Sequence, residues 1–420
     1  MTRSLTTLAT TAAVALLVVA GAPASASPTS GHPTTSPSGV ITLAGTGRPG
    51  GTGDGGPAIA ARIDGPDGIA VDAAGDLFIA DTGNCRVREV PARTGTSFGR
   101  HVEAGHIVTV AGTTCGAAAP PPTAVAVDPR GDLFIASATG NRVEELPARS
   151  GPSLGMPVTA GVPVTVAGTG APGATGDGGP ADRSQLDDPT GVAVDPEGDL
   201  LIADTANCRL RLVAASDGLR YGVPVVAGHI VTVAGTATCG SGGDGGPALG
   251  AQLWDPGALA VDTDGDVAVA DQGNRSVRLL AAHTGSFYGI PLAAGDLGTV
   301  AGEGSYGPYL QDGLAATSQV GEVDFPTGLA FDARADLFIA DGDLHAIRVV
   351  PSTPSRLLGR PLVAGDLYLV AGAQSVGPLY NRSVWVRTRM VEPTGLAVSG
   401  GRLLFADRNA DVVRSLRLTG

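Results

Sequence analysis

Six copies of one phrase, each opening on a proline, leave this chain few folds to choose from. They are "PDGIAVDAAGDLFIADTGNCRVREV" from Pro66, "PTAVAVDPRGDLFIASATGNRVEEL" from Pro122 and "PTGVAVDPEGDLLIADTANCRLRLV" from Pro189. "PGALAVDTDGDVAVADQGNRSVRLL" from Pro256, "PTGLAFDARADLFIADGDLHAIRVV" from Pro326 and "PTGLAVSGGRLLFADRNADVVRSL" from Pro393 complete the set. The prolines stand 56, 67, 67, 70 and 67 residues apart, and a period of this kind is the mark of a repeat architecture. Within a copy, "GIAVD" is a short apolar strand (a), "D-x-x-G-D" a tight turn, and "LFIAD" a second strand (b). A further turn leads to "RVREV" (c), and a longer loop to "IVTVAG" (d). Four antiparallel strands per unit, repeated six times, predict an all-β chain folded as a six-bladed β-propeller.

The phrase P-x-G-[IVL]-A-[VF]-D…G-[DN]-L-[FL]-I-A-D…N-x-R-[VLI] resembles the NHL-repeat propellers. So does the connector "VAGTG…GDGGPA…L…P" at Val166 to Pro189, which recurs at Gly45 to Pro66 and Val233 to Pro256. The resemblance covers nearly all of Val40 to Gly420 and implies a propeller that serves as a binding domain, a sensor or, in some members, an enzyme. One fragment stands outside the series. "GVITLAG", Gly39 to Gly45, repeats the strand d phrase with no strands a to c before it, while the sixth copy has a, b and c but no d. Val40 to Ala44 is therefore expected to complete the sixth blade and close the ring, which removes two open sheet edges.

Composition fits many short strands: 64 glycines, 31 prolines and 4 % aromatic residues, with 43 % hydrophobic residues to fill a core. A net charge of −13 argues against nucleic acid as a partner. The first residues read as an export signal over 1–26, with Arg3, an apolar run from Ala9 to Ala20, and a small-residue cleavage site at Ala24-Ser25-Ala26. A Ser/Thr/Pro-rich linker over 27–38 and the propeller over 39–420 follow. The expectation is a secreted monomer with no membrane insertion and no cofactor.

Cys85 and Cys208 both precede strand c, and Cys115 and Cys239 both follow strand d. Antiparallel neighbours place the start of c beside the end of d, so the pairs Cys85 with Cys115 and Cys208 with Cys239 are expected, in keeping with export. Between c and d, five copies carry an insertion in which Phe98, Leu154, Tyr221, Tyr288 or Leu358 precedes a glycine, and this reads as an outer hairpin. The aspartates that end strand b (Asp81, Asp204, Asp271, Asp341, Asp407, with Ser137 in copy 2) read as turn caps. So do those that end strand a (Asp72, Asp128, Asp195, Asp262, Asp332).

No catalytic constellation emerges. An NHL-type amidating lyase would require histidines converging on the channel, but His101, His106, His229 and His283 belong to the c-to-d side, His32 to the linker, and His345 stands near strand c. A lactonase-like calcium cage would need carboxylates after the blade prolines, where Asp67 is joined by Thr123, Thr190, Gly257, Thr327 and Thr394. The scarce aromatic residues instead gather in d-to-a connectors: Trp254 before blade 4, Tyr306 and Tyr309 before blade 5, Tyr380 and Trp385 before blade 6, the last with Arg382 and Arg387. Aromatic rings beside arginine have the composition of a recognition surface. The sequence thus points to an extracellular binding or scaffold module for a protein, peptide or glycan. The alternative is a propeller hydrolase or lyase, lactonase-like or amidating-lyase-like, with an unrecognised metal site.

Overall fold

The computed structural model describes residues 39–112, 115–116, 120–302, 314–317, 323–372, 386 and 390–418. Strands a, b and c of blade 1 are Pro66–Val71, Leu77–Asp81 and Arg86–Val90, with strand d at Val108–Gly112. They pair antiparallel in the order a, b, c, d, and blades 2 to 5 repeat that order. The a strands meet around the centre. Every strand b of blades 1 to 5 is buried along its whole length, because its two faces pack on two different blades. Leu77 and Ile79 join Leu404 and Ala406 of blade 6 in one core, while Phe78 and Ala80 join Leu133 and Ile135 of blade 2 in the next. The hydrophobic core is therefore divided among the junctions between blades, which is why "LFIA" is apolar throughout and does not alternate.

The sixth blade is closed as expected. Val40–Ala44 pairs antiparallel with Val412–Arg417, with Val40 opposite Leu416 and Thr42 opposite Arg414. Both disulfides join the expected cysteines, Cys85 to Cys115 and Cys208 to Cys239. The five insertions are two-stranded hairpins. Their two-residue loops place Phe98, Leu154, Tyr221, Tyr288 and Leu358 at φ of 44 to 53°, each followed by a glycine of positive φ. That is the turn geometry that suits hairpin twist, and it normally asks for Asn or Gly at the first position. Here bulky side chains hold it because they are packed, as Phe98 is edge-on against Phe78.

The GDGGPA connector does more than turn the chain. Its Gly-Pro segment lies along the outer strand of the following blade, with Gly55 and Gly56 bonded to Ile107, and Gly178 and Gly179 to Ile230. Its aspartate reaches inward. Asp54 holds Arg88 at 2.6 Å, and Arg88 also meets Asp81, the residue that ends strand b, at 3.5 Å. Asp177, Arg211 and Asp204 repeat the triad in blade 3, and Asp244, Arg278 and Asp271 repeat it in blade 4. The three arginines are almost wholly buried, so each guanidinium is matched by two carboxylates and a connector carbonyl, as a buried cation requires. The strand b aspartates cap turns as expected: Asp81 accepts from the Asp64 amide and from Asn84. Their second role, as anchors for the strand c arginines, escapes a reading that takes each repeat position singly.

Candidate active or binding mouth of the channel

The d-to-a and b-to-c loops open on one face of the disc, around a channel mouth of about 300 Å³. The residues that follow the blade prolines line it, together with Gln272, Phe325 and Arg408. Most of its polar groups are occupied in holding the ring. Thr82 donates to the Pro122 carbonyl (2.8 Å), Thr123 to Pro189 (3.4 Å) and Thr205 to Pro256 (2.7 Å). Gln272 donates to Pro326 (3.0 Å), Thr327 to Pro393 (2.6 Å) and Thr394 to Pro66 (3.2 Å). Each blade thus latches the first residue of the next, all the way round. The donor comes from either of two sequence positions, since where the residue after strand b is Ala138, Gly342 or Arg408, the threonine after the proline supplies it.

At the junction of blades 6 and 1 the mouth carries charge. Arg408 pairs with Asp67 and, at 3.4 Å, with Glu392, which Asn409 also contacts. Burial pushes the Asp67 carboxyl above its ordinary pKa, and the adjacent Arg408 opposes the shift. Aromatic surface flanks the same face. Trp254, which leads into blade 4, is 49 % exposed and lies against Gly273, its amide bonded to Asp271. Phe325, which leads into blade 5, is 40 % exposed. Sequence reading singled out Trp254 and missed Phe325, because Phe325 stands next to a blade proline in a connector whose other aromatic residues drew attention. Tyr306, Tyr309, Tyr380, Arg382, Trp385 and Arg387 lie outside the described residues.

The opposite mouth, about 440 Å³, is ringed by Asp72, Asp128, Asp195, Asp262 and Asp332. Each caps its own a-to-b turn, as Asp72 does by accepting from the amides of Ala74 and Asp76. Among the described residues, no three His, Cys, Asp or Glu side chains converge as a metal donor set. No helix among them is long and apolar enough to cross a membrane.

Six four-stranded blades around a central channel define a β-propeller. The NHL repeat model matches residues 64–89 and 186–211, in blades 1 and 3, and the chain is an NHL-repeat propeller. A protein of unknown function from Bacteroides thetaiotaomicron is similar at a TM-score of 0.56 and 16 % identity, over 90 % of this chain and 74 % of that one. An auxiliary nutrient binding protein from the same organism has a TM-score of 0.56 at 12 % identity, over 90 % and 75 %. A gluconolactonase from Xanthomonas campestris has a TM-score of 0.50 at 13 % identity, over 90 % and 89 %. At such identities the likeness is one of fold. No curated protein matches the chain by sequence.

Proposed function

We propose that this propeller is an exported binding module that takes a protein, peptide or glycan on the face bearing the d-to-a connectors. The observation that carries the reading is the exposure of Trp254 and Phe325 in neighbouring blades, beside a mouth whose remaining charged groups are Arg408, Asp67 and Glu392. Large aromatic rings left in solvent on one face supply contact area at little entropic cost, and they stack on sugars and peptides alike. Tyr306, Tyr309, Tyr380, Arg382, Trp385 and Arg387 belong to connectors that open on this face and would extend the surface. Export accords with the two disulfides, which persist in oxidising compartments, and with the signal-like residues 1–26.

The test is retention of the purified protein on cell-envelope fractions and on glycan and peptide arrays. The double variant Trp254→Ala, Phe325→Ala should lose at least tenfold in binding while keeping the wild-type unfolding transition. Undiminished retention by a folded double variant removes this face from consideration. A stoichiometric metal in elemental analysis would move the reading to the hydrolase or lyase class.

A further inference from the structure

Blade 2 departs from its five sisters at several linked places, and together they empty one space. Three residues before the opening proline of a blade, the other connectors insert an apolar side chain: Ile63, Leu186, Leu253, Val323 and Met390 are all buried, none more than 5 % exposed. Ile63 and Leu186 press on the glycine that ends strand d of the preceding blade, so close that a Cβ at Gly45 or Gly168 would stand 2.9 or 3.1 Å from their methyls. In the connector to blade 2 the matching residue is Ala119, which lies outside the described residues. That connector runs ten positions from Gly112 to Pro122, against twenty-one from Gly45 to Pro66, from Gly168 to Pro189 and from Gly235 to Pro256.

The rest of the site has changed with it. The buried arginine of the triad is replaced by Glu144, paired with Arg142 at 2.8 Å, and the strand b aspartate is Ser137, whose hydroxyl donates to the Pro121 carbonyl. What remains is a hole of about 240 Å³ with Val87, Ala111, Pro120, Pro122 and Ile135 in its walls, and the Arg142–Glu144 pair also lining it. It is smaller than the ~300–1,000 Å³ of ordinary small-molecule pockets and suited to a single side chain.

We propose that the junction of blades 1 and 2 is a binding site for one branched aliphatic side chain, of leucine size, presented by an extended peptide. The five sister junctions show what fits: a Val, Ile, Leu or Met side chain carried on an extended strand of connector. Here the protein retains the socket and has shortened the segment that would fill it. The Arg142–Glu144 pair supplies a polar partner of each sign for the peptide's own amide groups. The site is separate from the channel mouth and does not depend on its function.

The probe is N-acetyl-leucine methylamide, titrated against protein labelled at its Val and Ile methyls, with N-acetyl-glycine methylamide as control. The leucine probe should shift the Val87 and Ile135 methyl signals with a dissociation constant in the millimolar range, and the glycine probe should bind at least tenfold more weakly. Ala119→Leu, which restores the sister side chain, should abolish the shifts and raise the Tm. Equal shifts from both probes, or leucine-probe shifts that persist in folded Ala119→Leu protein, overturn the proposal. Xenon pressurisation of wild-type crystals needs no variant: a xenon atom between Val87 and Ile135 is expected, and its absence from that hole would refute an accessible apolar socket.

Discussion

Glu89 and Glu145 occupy the fourth position of strand c in blades 1 and 2, where blades 3, 4 and 5 have Leu212, Leu279 and Val349. Both glutamates are fully buried, and neither carboxyl has a hydrogen-bond partner of normal geometry among the described residues. Loss of solvent pushes each pKa up to about 7, with Ser97 and Ser153 alongside opposing the shift and Asp76 and Asp132 adding to it. A group raised in the folded state stabilises it fully below the unfolded value, and that contribution is lost as pH rises through the folded value. The window here runs from about 4.5 to about 7. The double variant Glu89→Leu, Glu145→Leu should therefore melt near the wild type at pH 5 and well above it at pH 8. A Tm difference that is the same at both pH values would show that the carboxyls do not titrate in this range. The strand c arginines make the opposite arrangement. Arg88, Arg211 and Arg278 are buried with full complements of carboxylates, and a buried pair of that kind is costly to break from one side, by about 3–5 kcal/mol, though its net worth over apolar packing is small. Its value in this fold is to tie connector, strand b and strand c together at one point.

The connectors and hairpins are the elements by which one blade grips another. Where GDGGPA is present, its Gly-Pro segment covers the amide of the first residue of strand d, as Gly56 covers Ile107 and Gly179 covers Ile230. Blade 2 has no such cover among the described residues, and its matching residue is Pro163, which has no amide hydrogen to leave exposed. An edge strand without a partner is a template for association, and proline is one of the few residues that blunts it. Pro163→Ile should restore the donor and produce concentration-dependent self-association by sedimentation velocity, with the monomer's Tm little changed. A variant that stays monomeric at the highest concentrations would mean the edge is shielded in some other way. Strand order, ring closure, disulfide pairing and hairpins were all legible in the sequence, because each is set by local pattern and by repetition. The triads and the ring of latches were not. Asp54 and Arg88 are 34 residues apart, and the latch donor alternates between two positions, so neither is periodic. The candidate surface was legible only in part: Trp254 is exposed as an unsatisfied aromatic residue in a connector should be, whereas Phe325 becomes a surface residue only through the angle at which blade 5 enters the ring.

Every blade but the sixth carries a hairpin, and the molecule is asymmetric for that reason. The hairpin of one blade overlies the next: the Phe98 carbonyl lies so close to Gly161 that a Cβ there would be 3.1 Å away, and Leu154, Tyr221 and Tyr288 approach Gly228, Gly295 and Gly365 in the same manner. Tyr221 and Tyr288 also donate to the a-to-b turns of the following blades, at Gly265 and Ala335. Gly105 of blade 1, the equivalent receiving position, has no described neighbour within 4 Å of where a Cβ would stand. Val90 is partly exposed, although its counterparts Leu146, Val213, Leu280 and Val350 are buried. The junction of blades 6 and 1 is thus held by Val40–Ala44, the Thr394 latch and the Arg408 pairs without a hairpin's help. Loss of the closing strand would expose the edge of Val412–Arg417 and uncover the core around Leu403, Phe405 and Leu416, in which Val40 sits. A chain deleted through Gly45 should lose its cooperative thermal transition and gain fluorescence from a hydrophobic dye, while one deleted through Ser38 should retain a single sharp transition. Two-state melting in both, at the same Tm, would mean the ring does not depend on this strand. The same asymmetry orders the local openings: amide hydrogen exchange should be fastest in the strand c amides of blade 1, around Val90, relative to the matching amides of blades 3, 4 and 5, because the seam is where the fewest contacts must break to let water in.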